Sequence, residues 1–95
     1  MDLPEDVARY VCSTFHDTER EQALSQLRAA VIHTGEAPSP RLLRCVVMAS
    51  RGELKRLDRL IEELRVDWRD VIVAGEYKSI GGKLVKVHDL TEPIA

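Results

Sequence analysis

The length and composition of this chain are those of one small globular domain. It has 95 residues, of which 44% are hydrophobic and 32% are charged, and its formal net charge is −2. This composition excludes an intrinsically disordered segment, and the length leaves no room for a second domain. We therefore expect a single helical domain over residues 1–90, followed by a short tail over residues 91–95.

Three features of the sequence predict a cytoplasmic protein. The two cysteines, Cys12 and Cys45, are too few for a disulfide framework, so we expect reduced thiols. The N-terminus is acidic, whereas a secretory signal begins with positive charge. The longest apolar run, residues 45–49, is too short to cross a bilayer. We expect no membrane partner.

Charge is distributed unevenly along the chain. Residues 1–38 carry seven acids and three bases, and residues 60–95 carry seven acids and five bases. Residues 41–59, between them, carry six bases and two acids. This basic middle segment can meet an anionic partner or can pair with its own acidic flanks.

Helical periodicity and helix-start signals predict two helices in the first third of the chain. The first is expected over residues 4–15, with a proline and two acids near its start. The second is expected over residues 19–33, with Thr18 and Glu21 as a capping box and Gly35 at its end. Residues 35–40 contain two prolines and are expected to form a loop.

The next two predicted helices differ in polarity. The third, over residues 40–49, follows a Ser39 cap, and Arg44 is the one polar residue in the run 42–49. We expect a central helix here, with a buried strand as the alternative that the same pattern allows. The fourth, over residues 51–64, has Ser50 and Glu53 as a capping box and leucines along one face.

The last predicted helix covers residues 68–74. Asp67 is expected to cap its start, and Gly75 is expected to end it in a left-handed conformation. Beyond it, Gly81 and Gly82 separate the runs 77–80 and 83–87, as in a two-residue hairpin turn. The predicted fold class is therefore all-α: a five-helix orthogonal or bundle-like domain that ends in a short β-hairpin or an extended tail.

Basic residues of the middle segment form the first candidate site, an interaction surface that we call the basic ridge. Arg51, Lys55 and Arg59 are spaced i, i+4 and i+8, which places them on one face of the fourth predicted helix. Such a face can follow the phosphates of a nucleic acid. The simpler alternative is a solvent-exposed face whose charges pair with acidic neighbours. The basic ridge consists of Arg41, Arg44, Arg51, Lys55, Arg56 and Arg59.

A second candidate site, which we call the acidic–aromatic cluster, surrounds the start of the fifth predicted helix. Its carboxylates could bind a divalent cation or an arginine-rich partner. The structural alternative explains the spacing better, with Asp67 as cap, Asp70 completing its capping box, Trp68 in the core and Arg69 in a local ion pair. The cluster consists of Asp67, Trp68, Arg69, Asp70, Glu76 and Tyr77.

The cysteines and two histidines form the third constellation. Cys12 and His16 are four residues apart and could bind a metal with His33 and Cys45, or could act as nucleophile and base. The preferred interpretation makes the thiols small core residues and the histidines helix-end residues. No phosphate-binding loop, nucleophile-elbow motif or zinc-protease motif occurs. We expect no metal, no cofactor and no enzymatic activity.

One short segment resembles a known group of proteins. Residues 67–72, with the sequence Asp-Trp-Arg-Asp-Val-Ile, resemble a segment of small, uncharacterised bacterial helical proteins. That group has no known activity, so the resemblance implies a bacterial cytosolic protein and nothing about chemistry.

Together these patterns predict a binding function. We expect a small non-catalytic protein-interaction module, an adaptor or regulator that binds a protein partner and can form a homodimer. The alternative is a nucleic-acid-binding regulator that uses the basic ridge.

Overall fold

Five helices and a two-stranded hairpin follow one another in residues 3–94, the part of the chain that the computed structural model describes. The all-α prediction with five helices is confirmed, and the chain after the helices forms the hairpin rather than an extended tail. The predicted domain limits at residues 1 and 95 lie outside the described residues. The elements are α1 (Glu5–Thr14), α2 (Arg20–Ala29), α3 (Pro40–Ser50), α4 (Leu54–Val66), α5 (Trp68–Glu76), β1 (Tyr77–Ile80) and β2 (Lys83–Lys86).

Helix α3 lies at the centre of the molecule. Seven of its eleven residues are buried, and it packs against α1, α4 and α5. The Ser39 side chain accepts a hydrogen bond from the Leu42 amide at 3.3 Å, and Pro40 occupies the first turn. The predicted cap and the predicted central helix are therefore both confirmed, because a helix that is apolar on most sides needs neighbours on most sides.

The polar residue of that helix, Arg44, forms a buried ion pair. Its Nε donates to Asp6 Oδ2 at 2.8 Å, and both side chains are 11% exposed. The same guanidinium donates to the Leu90 carbonyl at 3.3 Å, while the Ile94 amide donates to Asp6 at 3.0 Å. This pair therefore joins α1, α3 and the C-terminal segment, and Arg44 cannot belong to an exposed ridge.

Helix α2 begins at Arg20, within one residue of the predicted start, but the predicted Thr18 cap is wrong. Thr18 does not cap the helix, because its hydroxyl lies 2.9 Å from His16 Nδ1 and its amide donates to the same nitrogen. Glu19 takes the cap position without a side-chain hydrogen bond. The Thr18 hydroxyl contacts the His16 ring instead of the free amides at the start of α2. The capping-box pattern does not take such a local contact into account.

The predicted end of α2 is also wrong, because the helix stops at Ala29 rather than at residue 33. Val31 and Ile32 are β-branched and favour extended backbone. The Ile32 amide donates to the Glu36 carbonyl at 2.9 Å, and the Gly35 amide donates to the Ile32 carbonyl at 2.9 Å. The chain thus forms a closed turn where the helix was expected to continue.

Helix α4 begins three residues later than predicted. Ser50 is the last residue of α3 and is completely buried, and its hydroxyl donates to the Val47 carbonyl at 2.7 Å. It therefore cannot cap α4, and Glu53 takes the cap position before Leu54. Ser50 and Glu53 match the capping-box pattern, but the buried Ser50 hydroxyl donates to a carbonyl of α3 and cannot accept from an amide of α4.

The turn between α3 and α4 has left-handed backbone at two consecutive residues. Arg51 has a φ of 52° and Gly52 a φ of 74°. A Cβ at Gly52 would lie 2.5 Å from the carbonyl oxygen of Thr14, so the end of α1 packs directly against the turn. Because Arg51 lies in this turn, it is not on α4, and the predicted i, i+4, i+8 spacing of the basic ridge fails at its first member.

Gly75 does not end α5 as predicted. The helix continues to Glu76, and a Cβ on Gly75 would lie 2.6 Å from the Cα atom of Cys45. The glycine therefore allows α5 to approach the α3 backbone closely, which is a packing function rather than a capping one.

The hairpin follows α5 without a connecting loop. Gly81 and Gly82 have φ values of 57° and 81°, which is the backbone of a type I′ turn. The strands are antiparallel, with Tyr77 opposite Lys86 and Ile80 opposite Lys83. The predicted glycine turn is confirmed, and it joins the two strands in the register expected for a two-residue loop.

Candidate functional site

The structure divides the basic ridge into inward and outward members. Arg41 and Arg44, both on α3, pair with carboxylates of other elements. Lys55 lies in a separate groove together with the acidic residues Glu19, Glu53 and Asp58. Three members remain together on one side of the molecule: Arg51, Arg56 and Arg59.

These three arginines line a cleft of about 430 Å³. The cleft lies between the end of α3, the outer face of α4, the end of α5 and the hairpin. Lys78 of β1 and His88, just after β2, lie on its opposite wall. We call this site the basic cleft. Its remaining lining residues are Met48, Ala49, Leu60, Ala74, Gly75, Tyr77 and Val87.

The basic cleft is electrostatically one-sided. Five of its lining side chains are basic types, and none is a carboxylate. Arg51, Arg59 and Lys78 form no ion pair with any of residues 3–94, and Arg56 has only a 3.4 Å pair with Glu53. That pair is mostly exposed and therefore contributes little. Positive potential consequently accumulates in the cleft although the chain as a whole is acidic.

The wall that carries Lys78 is held in place by Glu76. Its side chain is completely buried and accepts two hydrogen bonds of 2.8 Å from Arg41. Its carbonyl accepts hydrogen bonds from the Val87 and His88 amides at 2.7 and 3.2 Å. One residue thus ties the hairpin to α3 through both its side chain and its backbone.

Ionisation of this buried carboxylate is favoured by its partners. The hydrogen bonds from Arg41 hold the pKa of Glu76 below its ordinary value, although burial acts in the opposite direction. The same contact raises the pKa of Arg41. Lys86 of β2 adds a longer ion pair, with 3.7 Å between its Nζ and Glu76 Oε1. One charged group in the core therefore links α3 to β2.

The acidic–aromatic cluster does not form a single site. Asp67 caps α5, as predicted, by accepting from the Arg69 amide at 3.0 Å, and it also pairs with the Arg69 guanidinium. These contacts lower the pKa of Asp67. Glu76 and Tyr77 lie at the other end of α5, nine and ten residues beyond Asp67, or about 14 Å along the helix at a rise of about 1.5 Å per residue. The cluster is therefore split along the length of one helix.

The other two members of this cluster behave differently from each other. Trp68 packs against the core, as the structural alternative predicted. Asp70 lies beside Glu63 of α4, and the neighbouring carboxyl group raises the pKa of Glu63. Asp70 thus faces a neighbouring helix rather than completing the predicted capping box.

The cysteine–histidine constellation is not assembled. Cys12 is exposed, whereas Cys45 is buried beneath α5. His16 contacts Thr18, and His33 lies in a different groove beside the end of α4. Among residues 3–94, no group of three or more histidine, cysteine, aspartate or glutamate side chains could hold a metal ion.

The buried thiol of Cys45 is not a reactive nucleophile. Burial, together with the nearby Glu76 carboxylate, raises the pKa of Cys45 to about 12. A thiol with such a pKa is protonated at neutral pH, and the nucleophile is the thiolate. Cys45 therefore fits a role in packing, as the preferred interpretation of the sequence had it.

Sequence analysis missed two residues of the basic cleft, Lys78 and His88. Both lie more than 15 residues from the basic middle segment and reach it only because the hairpin folds back along α5. One signal was present in the sequence: residues 77–88 contain three lysines, one histidine and no acid. Tyr77, which the sequence analysis placed in the acidic–aromatic cluster, lines the basic cleft and also a second groove that contains Arg69.

Comparison with protein-family models, with curated proteins and with solved structures finds no match to this chain. No helix within residues 3–94 has the length and apolar character needed to cross a membrane.

Proposed function

We propose that this protein is a non-catalytic, cytoplasmic interaction module, an adaptor or regulator that binds an acidic segment of a partner protein in the basic cleft. One observation carries the proposal: five basic side chains and no carboxylate line a cleft on a chain whose net charge is −2. Because the rest of the chain is acidic, nonspecific attraction of anions is weak and attraction to the cleft is local.

The conformation of Arg51 supports this proposal. A residue that ends a helix in left-handed backbone is usually glycine, because a Cβ there is unfavourable. Arginine occupies this position although the next residue is glycine. Strained residues persist where the surrounding structure or function requires them. Here the left-handed residue is a cation that lines the cleft.

The chemistry of the lining residues supports a binding role rather than catalysis. The charged groups in the basic cleft are three exposed arginines and a lysine, which bind anions through long side chains. Cys45, the nearest thiol, is buried beneath α5 and protonated at neutral pH. The unpaired cysteines are consistent with the cytoplasmic location that we propose.

A nucleic acid is the second candidate partner. Tyr77 lines the cleft beside Lys78, and an aromatic ring among cations can stack on a base. Against this, acidic residues Asp58, Glu62 and Glu63 interrupt the surface of α4 on either side of Arg59. A phosphate backbone extends over many charges and meets these carboxylates, whereas a short acidic peptide segment can fit within the cleft.

The test compares two double variants of equal charge change. The cleft variant carries Arg51→Glu and Arg59→Glu, and the control carries Arg28→Glu and Arg65→Glu, two exposed arginines outside the cleft. Each tagged protein is purified from its native cell with and without nuclease. We expect protein partners that survive nuclease and are retained by the control, and we expect the cleft variant to lose at least about tenfold in affinity for them.

Two results would contradict the proposal. Equal retention of partners by the cleft variant would show that the basic cleft is not the binding surface. Loss of all partners on nuclease treatment, together with steeply salt-dependent binding to a duplex, would identify the nucleic-acid regulator instead.

A further inference from the structure

Exposed aliphatic side chains are concentrated on the hairpin. Six large hydrophobic residues of the described chain are exposed, and four of them belong to the hairpin or follow it directly. Clustered exposed apolar side chains mark interaction surfaces more often than isolated ones do. The four are Ile80, Leu84, Val85 and Val87, with exposed fractions of 52%, 63%, 41% and 44%.

The outer edge of the hairpin is open. Strand β1 continues directly from α5 and has one half-buried residue, Tyr77, whereas all four residues of β2 are exposed. The Val87 amide donates to the Glu76 carbonyl, so the backbone groups of Val87 point towards β1 and not towards the open edge. Because hydrogen-bonded pairs alternate along an antiparallel ladder, the amides and carbonyls of Leu84 and Lys86 point outward from β2. An edge of this kind can accept a further strand.

Each face of β2 carries one lysine and one aliphatic side chain. Side chains alternate between the faces of a strand, so Lys83 and Val85 share one face and Leu84 and Lys86 share the other. Along the chain the strand thus reads cation, apolar, apolar, cation. A complementary strand has the sequence pattern acidic, apolar, apolar, acidic. Because this pattern is the same in both directions, it matches β2 in a parallel or an antiparallel arrangement.

The charges of β2 disfavour a second copy of this chain as the occupant. Only residues whose amides and carbonyls point outward can exchange hydrogen bonds across this edge, so an antiparallel pair of copies aligns Leu84 or Lys86 with Leu84 or Lys86 of the other copy. The register that aligns Lys86 with Lys86 sets like charges opposite one another, which is destabilising. Residues 77–88 contain no acid, so no register of two copies gives Lys83 or Lys86 an acidic partner. An acidic segment gives one to both lysines and is therefore the better occupant.

We infer that β2 binds an extended segment of a partner protein with the pattern acidic, apolar, apolar, acidic, which adds as a third strand to the hairpin. Its backbone pairs with the outward amides and carbonyls of Leu84 and Lys86, and its acids lie beside Lys83 and Lys86. The inference deepens the proposed function and rests on it, since Lys78, Val87 and His88 join the hairpin to the basic cleft as one surface.

The test begins with a random peptide library displayed on phage and selected on the full chain. We expect enrichment of peptides that contain the acidic, apolar, apolar, acidic pattern. A synthetic peptide of the enriched sequence is then added to the isotopically labelled protein, and amide hydrogen exchange is followed by NMR. Exchange at Leu84 and Lys86 should slow by at least about tenfold, because these amides gain hydrogen-bond partners.

A pair of proline variants examines the backbone contact. Leu84→Pro removes one outward amide of β2, and Ser79→Pro removes the equivalent outward amide on the opposite edge, in β1. Peptide binding should fall at least about tenfold for Leu84→Pro and should be unchanged for Ser79→Pro. If a proline variant loses the amide spectrum of the folded helices, Lys83→Glu replaces it, because this exposed lysine forms no ion pair with residues 3–94.

The outcomes separate this inference from the proposed function. Enriched peptides without negative charge, no enrichment, or slowed exchange confined to residues outside β2 would each overturn the strand-addition inference. Slowed exchange of Leu84 and Lys86 that depends on protein concentration without peptide would assign the edge to self-association. If the cleft variant releases its native partner while Leu84→Pro retains it, the proposed function stands and strand addition is wrong.

Discussion

The two ends of the basic middle segment use the same residue type in opposite ways. At its start, Arg41 and Arg44 lie on α3 and are neutralised by carboxylates of distant elements, 2.8 Å away in both pairs. At its end, Arg51 and Arg59 are exposed and unpaired with any of residues 3–94. The first pair joins parts of the fold, and the second leaves its charge available to a partner.

This difference shows why a count of basic residues does not identify a binding surface. A buried arginine must be paired, because an unpaired charge in the interior costs several kcal/mol, on the order of 3–5, when its partner is removed. An exposed arginine carries no such requirement. Arg44 is buried with Asp6, whereas Arg41 is 37% exposed but pairs with the completely buried Glu76, so contact with a buried carboxylate is what assigns a cation to the fold.

The largest expected effect is that of acid on the buried pairs. Hydrogen bonds from Arg44 and the Ile94 amide outweigh burial and hold the pKa of Asp6 below its ordinary value, and Arg41 does the same for Glu76. Carboxyls with a lowered folded-state pKa stabilise the fold fully above the unfolded-state value. That contribution is lost as the pH falls through the folded-state pKa.

We therefore expect the free energy of unfolding to decrease steeply as the pH falls below the ordinary glutamate value of 4.5. Urea denaturation at a series of pH values measures it. The Asp6→Asn variant should show a shallower decrease than the unchanged protein. An equal decrease in both would show that Asp6 is not among the groups responsible.

Truncation of the buried arginine should have the next largest effect. Arg44→Ala leaves Asp6 without its ionic partner at 11% exposure, and we expect a loss of about 3 kcal/mol in the free energy of unfolding. The control is Arg9→Ala, which removes an exposed pair with Glu5 and should cost less than about 0.5 kcal/mol. Similar losses in the two variants by urea denaturation would remove the distinction between inward and outward arginines.

The smallest expected effect concerns Arg51, whose replacement by glycine should increase the stability of the fold but weaken partner binding. Arg51→Gly relieves left-handed backbone at a φ of 52°, so we expect a gain in stability of about 0.5 kcal/mol together with weaker partner binding. Arg51→Ala removes the same side chain but keeps the strained backbone, so it should weaken binding without the gain. A gain in stability for Arg51→Ala as large as that for Arg51→Gly would show that the side chain, not the backbone, is the source of strain.

Local patterns were sufficient where the deciding interactions lie within a few residues. The Ser39 and Asp67 caps and the Gly81-Gly82 turn are confirmed because each depends on neighbours in the chain. The Ser50 prediction is wrong although its pattern is equally good. The reason is that α1 packs against this turn, and burial of Ser50 turns its hydroxyl towards Val47.

The candidate site was predicted only in part for the same reason. Arg51, Arg56 and Arg59 were found because they are close in sequence, although Arg51 was placed on the wrong element. Lys78 and His88 were missed because the hairpin brings them to the cleft from a distant part of the chain. Arg41 and Arg44 were included wrongly because their carboxylate partners are 35 and 38 residues away.

The sequence by itself determined the number of helices, the apolar character of α3, the glycine turn of the hairpin and the presence of a basic segment. These properties follow from the periodicity of side chains and from backbone preferences, which act over one or two helical turns. Only the tertiary structure decided which arginines are neutralised and which face the cleft, and that β2 keeps an open edge. Electrostatic pairing and burial depend on distances between residues far apart in the chain, and only packing of the elements sets those distances.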